Sequence, residues 1–176
     1  MTPGSLPSAQ RRRVLFIYNS NEHIGITYLS AVLKARGHEV RLAYDPQIFR
    51  GEPLVRIPPL LRALDRTKAI VQLALDWKPH MVGFGCYTDN FRWMIGVAQA
   101  MKAAGVQAPL VFGGVHTTSV PETVASYDCV DALILGEAEG AVCEFLENLD
   151  GGPLPRGIRN VWARTEGGWD RSPLRP

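Results

Sequence analysis

The sequence is poor in cysteine, in charge of one sign and in long apolar runs, and each shortage removes a class of protein. Its three cysteines, Cys86, Cys129 and Cys143, lie far apart and form no CxxC pair. Neither a disulfide framework nor a structural zinc site is supported, and a reducing compartment fits. No stretch approaches the roughly 20 apolar residues that span a bilayer, and residues 1–10 lack the charged and apolar regions of a signal peptide. The chain is therefore expected in the cytoplasm, with no membrane as partner. The formal net charge of +2 is too small to draw a polyanion. The basic cluster Arg11, Arg12 and Arg13 directly precedes an apolar run, where it reads as a solvated strand entrance. Nucleic acid is not an expected partner.

Several ligand signatures of α/β proteins are also missing. A dinucleotide fingerprint belongs after the first strand, yet the nearest approach, Gly83-Phe84-Gly85, is incomplete and follows the third. No GxxxxGK phosphate loop and no GxSxG nucleophile elbow occurs, and Cys86 has no evident histidine partner. The ends of the first and third expected strands carry Asn19 and Gly85 instead of the carboxylates a phosphoacceptor site would need.

What is present is the composition of an ordinary folded domain, 46% apolar and 20% charged over 176 residues. The run Val14-Leu-Phe-Ile-Tyr18 reads as a strand buried on both faces. Ile26, Leu29, Val32 and Leu33 then recur at helical spacing before Gly37. A second strand is expected over 39–44, followed by a proline-rich excursion over 45–59 and a helix over 60–77 that Pro79 ends. The alternation continues with strand 81–85, helix 90–104, strand 110–112, a short helix from Pro121, strand 132–135 and helix 139–149. Such alternation predicts a doubly wound, Rossmann-like (flavodoxin-like) α/β domain, with about five parallel strands, helices on both faces and all strand-to-helix loops at the C-terminal edge. Residues 1–12 are expected to be a tail, 13–150 the domain, and 151–176 an edge strand and linker. Trp77 and Trp93 are expected in the core.

Glycine marks the exits of those strands, where it permits positive φ and close approach of backbone to a ligand. The richest segment is Gly113-Gly114-Val115-His116-Thr117-Thr118, followed by Ser119-Val-Pro-Glu122 with the spacing of a capping box. His116 alone reads as a hydrogen-bonded loop histidine rather than a metal ligand, since no second ligand stands at suitable spacing.

Taken in order, Gly25-Ile-Thr-Tyr-Leu-Ser-Ala-Val-Leu33 with Gly37-His-Glu-Val40, then Val82-Gly-Phe-Gly-Cys-Tyr-Thr-Asp-Asn90, Phe112-Gly-Gly-Val-His-Thr-Thr118 and Leu135-Gly-Glu-Ala-Glu139 form a connected pattern. It resembles the cobalamin (vitamin B12)-binding domain of cobalamin-dependent radical S-adenosylmethionine (SAM) enzymes. The resemblance implies a cobalamin site built from Asn21, Glu22, His23, Ile24 and Gly25, from Gly85, Cys86, Tyr87 and Thr88, from Gly113, Gly114, Val115, His116, Thr117 and Thr118, and from Gly136, Glu137 and Ala138. In that family these loops line the lower face of the corrin ring and the cleft for its nucleotide tail. No catalytic residue is implied.

Histidine-ligating cobalamin domains carry DxHxxG before the first helix. Aligning that glycine with Gly25 places Ser20 and Glu22 where Asp and His would stand. Cobalamin is therefore expected base-off, without the usual histidine on cobalt, with His23, one residue out of register, as the alternative metal ligand. The CxxxCxxC motif that holds the four-iron four-sulfur cluster of the radical enzymes is absent. The resemblance thus implies the cofactor domain of a larger enzyme, by expectation a methyltransferase, whose C-terminal radical SAM domain would bind SAM and the cluster. The other readings are a stand-alone cobalamin carrier or sensor, and a flavodoxin-like interaction domain that binds no cobalamin.

Overall fold

The structure, a computed structural model, describes residues 11–19, 24–45 and 66–175. Its elements are β1 (Arg13–Asn19), α1 (Ile24–Ala35), β2 (Glu39–Asp45), α2 (Thr67–Trp77), β3 (Met81–Gly85), α3 (Phe91–Ala103), β4 (Leu110–Gly113), α4 (Val115–Ser119), α5 (Pro121–Ala125), β5 (Ala132–Ile134), α6 (Glu139–Glu147), β6 (Val161–Thr165) and β7 (Gly168–Arg171). The expected excursion over 45–59 and the start of the helix expected from Leu60 fall largely outside the described residues.

The strands form one 7-stranded sheet in the order β2-β1-β3-β4-β5-β6-β7. From β2 to β5 every pairing is parallel, and β6 and β7 then join antiparallel. The fold is the expected doubly wound α/β arrangement, wider than expected by the terminal hairpin. Residues 168–171, expected within a linker, instead make β7. They pair with β6 across a tight turn at Glu166 and Gly167, in register Thr165↔Gly168.

Burial explains why the central strands are so apolar. All of β3 is buried, as is β5, because helices cover both faces. On one face Leu15, Ile17, Val82, Phe84, Leu110 and Phe112 pack against Ile70, Ala74 and Trp77 of α2 and Trp93, Met94 and Met101 of α3. Phe84 and Phe112 stack there, 4.5 Å apart across β3 and β4. On the other face Phe16, Met81, Val111 and Ile134 pack against Ile26 and Leu33 of α1 and Val142, Phe145 and Leu146 of α6. Trp77 and Trp93 are buried, as expected.

The hairpin is tied to the body by Arg164. Its guanidinium donates to the carbonyls of Val130, Ala125 and Tyr127 and lies over the Trp169 ring, while Arg171 lies over Trp162.

One local expectation fails. Ser119 does not cap the helix that follows, because it is the last residue of α4 and its hydroxyl donates back to the Val115 carbonyl at 2.8 Å. Val120 takes the N-cap position of α5, without a side-chain cap.

Candidate cofactor site

The chain runs from β1 through α1 to β2 on one side, and from β3 through α3 to β4 on the other. The point between β1 and β3 is therefore the topological switch of the sheet, where doubly wound domains leave a crevice beyond the strand ends.

A cleft with about 710 Å³ of empty space, its open mouth included, lies at this point between α1 and α6. Its floor is Phe16, Met81, Gly83, Val111 and Ile134, its walls include Ile26, Leu29 and Val142, and Gly25, Gly85, Gly113, Gly114 and Gly136 line it beside Glu137 and Ala138. Phe16 pairs with Gly83 across β1 and β3, and its ring fills the space a side chain at 83 would take: a Cβ there would stand 2.6 Å from the ring. The flat floor follows from that exchange.

The loop after β4 is clamped to the loop after β3 through main chain. The Cys86 N–H donates to the Gly113 carbonyl at 2.8 Å, and the His116 N–H donates to the Cys86 carbonyl at 3.1 Å. Gly114 makes this approach feasible. Its φ is +96°, and a Cβ would lie 2.8 Å from the Cys86 carbonyl oxygen. Thr117 is buried, with its hydroxyl donating to the Gly113 carbonyl. The Cys86 side chain belongs to the core, where burial pushes its thiol far above the usual range. Neither Cys86 nor Thr117 lines the cleft, and each meets the neighbouring loop through main-chain or main-chain-directed bonds.

The remaining expected residues divide by exposure. Val115 and Ile24 are largely bare, at 65% and 81%, and Tyr87 is exposed as well. Thr88 Oγ1 and His116 Nδ1 lie 3.1 Å apart, the His116 ring rests 4.4 Å from Phe91, and His116 Nε2 is shielded without a partner among the described residues. Thr118 accepts the Gly136 N–H, joining the loop after β5 to α4. Asn21, Glu22 and His23 fall outside the described residues, and so does any test of His23 as a metal ligand. Among the described residues no group of three or more His, Cys, Asp or Glu is placed to hold a metal.

The sequence reading missed two sets of residues. One is the cleft floor, whose members are anonymous core positions until the strand register is known. The other is a buried amide pair at the switch point. Asn90 Nδ2 donates to Asn19 Oδ1 at 3.0 Å, and Asn90 Oδ1 accepts the Tyr87 N–H. Asn19 Nδ2 is buried with no partner among the described residues. An unpaired buried donor is costly unless something meets it, which directs interest to this edge. The available signal was an Asn at a strand exit and an Asn at a helix start.

Fold and cleft together define a doubly wound α/β domain whose ligand site is the C-terminal edge of its parallel sheet. The B12 binding domain model matches residues 14–146, three quarters of the sequence, and the chain belongs to that family. Among curated relatives, an uncharacterized methyltransferase of Pyrococcus horikoshii is 28% identical over 149 residues, covering 84% of this chain and 32% of that protein. The cobalamin-dependent radical SAM methyltransferase TokK of Streptomyces tokunonensis is 28% identical over 142 residues, covering 78% of this chain and 19% of that protein. The chain thus spans a third or less of these relatives.

Solved structures share the fold at lower identity. The radical SAM methyltransferase TsrM of Kitasatospora setae superposes with a TM-score of 0.72 at 19% identity, covering 92% of this chain and 30% of that one. The cobalamin-dependent SAM radical enzyme OxsB, with aqua-cobalamin and SAM bound, superposes with a TM-score of 0.71 at 12% identity, covering 94% and 22%. Cobalamin is the cofactor of the family to which the chain belongs, and the described residues suit it: an apolar floor where the Phe16 ring lies against Gly83, a backbone shelf at Gly113 and Gly114, and an Asn19 Nδ2 with no partner among the described residues fit a broad plate fringed with amides.

Proposed function

We propose that this chain holds cobalamin base-off, without a histidine on cobalt, as the cofactor domain of a radical SAM methyltransferase. The observation that carries the reading is the cleft between α1 and α6, whose floor is the Phe16 ring lying against Gly83. The cleft's lining is mostly apolar and it opens at the C-terminal edge, which supports a place for the nucleotide tail, and that tail is free to enter only when its base is off the metal.

Loops 85–88, 113–118 and 136–138 would hold the ring, largely through backbone groups fixed by the Cys86–Gly113, His116–Cys86 and Gly136–Thr118 bonds. Such fixed donors and acceptors lose little freedom on binding, and so favour affinity. Glu22 at the position of the usual histidine supports a lower face free of imidazole. When bound, cobalamin supplies a cobalt centre able to carry a methyl group, whose electronics depend on what meets its lower face. The exposed apolar side chains of Ile24, Tyr87 and Val115 would be available to pack against the ring and limit water around it. SAM and the iron–sulfur cluster would be held by a separate C-terminal domain, and a methyl acceptor would be chosen there.

Absorbance titration with hydroxocobalamin, followed by gel filtration, tests the reading. The expected result is corrin retained by the protein with a base-off spectrum, no methylation by the chain alone, and conversion towards a histidine-ligated spectrum in Glu22→His. A retained base-on spectrum would reject the base-off assignment, and loss of all corrin on the column would reject the cofactor reading for this chain.

A further inference from the structure

Asn160 stands just before β6, 3% exposed, with φ at +72°. Asparagine is one of the few residues other than glycine that tolerates this left-handed conformation, because its short amide finds local partners. Here the partners lie on two different segments. Towards the loop after β5, its carbonyl accepts the Leu135 N–H at 2.8 Å and its Nδ2 donates to the Glu137 carbonyl at 2.9 Å. Towards the C-terminal segment, its N–H donates to the Pro173 carbonyl at 3.0 Å and its Oδ1 accepts the Arg175 N–H at 2.5 Å. One side chain therefore bridges the 136–138 loop and residues 173–175, which are otherwise far apart in the chain.

The bridge sits where it can set the loop's shape. Gly136, in the left-handed region at φ +66°, turns the chain at one end of the loop, and α6 begins at the other end. Between them the Glu137 peptide has its carbonyl fixed by Asn160, and planarity of the peptide then fixes the direction of the Ala138 N–H. The Gly136 N–H is fixed separately by Thr118.

We infer that Asn160 is a positioning residue that couples the 136–138 loop to the C-terminal segment, so that docking of residues 173–175 and binding at the loop reinforce one another. The inference rests on the cobalamin reading above for the identity of what binds. Coupling of this kind is reciprocal. Cobalamin must slow hydrogen exchange at the Arg175 amide by the same free energy by which an intact segment strengthens cobalamin binding.

Asn160→Gly is the decisive variant, since it keeps the backbone conformation and removes only the bridging amide. It is expected to bind hydroxocobalamin about tenfold more weakly, the size set by one or two neutral hydrogen bonds, and its Arg175 amide should exchange at the same rate with and without cofactor. Asn160→Asp keeps the acceptor for Arg175 but loses the donor to Glu137. It should weaken binding similarly while leaving the Arg175 amide protected. Glu144→Gln, which loosens the segment only through the exposed ion pair to the Arg175 side chain, should by the same coupling weaken binding, but by much less than Asn160→Gly does.

A folded Asn160→Gly protein with unchanged affinity, whatever its melting temperature, overturns the proposal and leaves Asn160 a structural residue. If the unaltered chain retains no cobalamin, the cofactor reading fails, and exchange at amides 135–138 without cofactor decides the coupling: faster in Asn160→Gly supports it, unchanged overturns it.

Discussion

The ring of Phe16 occupies the place of a side chain at Gly83, its nearest atoms 2.6 Å from where a Cβ would stand. Gly83→Ala must therefore push that buried ring out of its slot, upward into the cleft between α1 and α6. Overpacking of this kind costs about 1–3 kcal/mol. The expected result is a lowered urea midpoint together with weaker cobalamin retention, measured by chemical denaturation and absorbance titration. Unchanged retention would mean that the ring has another direction to yield.

Two glycines of the loops should differ in what they tolerate. Gly114 combines φ of +96° with extended ψ and faces the Cys86 backbone, which cannot give way. Gly136 sits at φ +66° with its nearest neighbour, Asn160 Nδ2, 3.7 Å from an added Cβ. Gly114→Ala is expected to lose about 3 kcal/mol, the upper end for a residue forced into a glycine-only region, and Gly136→Ala about 1–2 kcal/mol. Paired urea melts check the order, and equal losses would contradict it.

Acid should weaken the fold at the opposite end of the sheet. His38 Nδ1 accepts the Arg12 N–H and His80 Nδ1 accepts the Arg13 N–H, so both rings must be neutral to hold the start of β1. Burial, chiefly, lowers both from the ordinary 6.5. The Arg36 and Arg12 cations add to this at His38 against the opposing pull of Glu147, and Arg12 and Arg13 add to it at His80 against Glu39. The unfolded chain then takes up protons that the folded chain refuses, so stability is full above pH 6.5 and falls as pH drops below it towards the folded values. Urea midpoints measured from about pH 8 to pH 5 should decline below the ordinary histidine value, and less steeply in a His38→Gln, His80→Gln double variant. A flat profile in the unaltered protein would remove histidine from the account.

Thiol chemistry should be silent in the native state. Cys86, Cys129 and Cys143 are all buried, and burial raises each thiol's pKa. An aromatic disulfide reagent at about pH 8 should label none of them in the folded protein and all three after denaturation. Rapid labelling of native Cys86 would show that the loops after β3 and β4 open.

Much of this architecture was readable because it is local. The uninterrupted apolar runs of β1 and β3 announce strands covered on both faces, and Lys78, left-handed just before Pro79, ends α2 where proline forbids continuation. The strand-exit glycines were visible for the same reason. The cleft floor was not, since Phe16 and Gly83 are neighbours only through strand register. The α4 turn hid behind β-branched Val115 and Thr117, which have weak helix propensity, and its formation took Ser119 away from its expected cap. β7 was read as linker because glycine and arginine dominate its sequence. Its pairing depends on Trp162 and Trp169 each finding a guanidinium on the neighbouring strand.

That hairpin has a further consequence for how the domain can be cut. β5 is only three residues long, and its outer hydrogen-bonding groups are satisfied by β6. A fragment ending near residue 150 would leave those groups unpaired beside the apolar side chains of Ala132, Leu133 and Ile134, an open template for strand addition by a second molecule. The hairpin thus works as a cover against self-association, and fragments that keep it should stay monodisperse at concentrations where shorter ones precipitate.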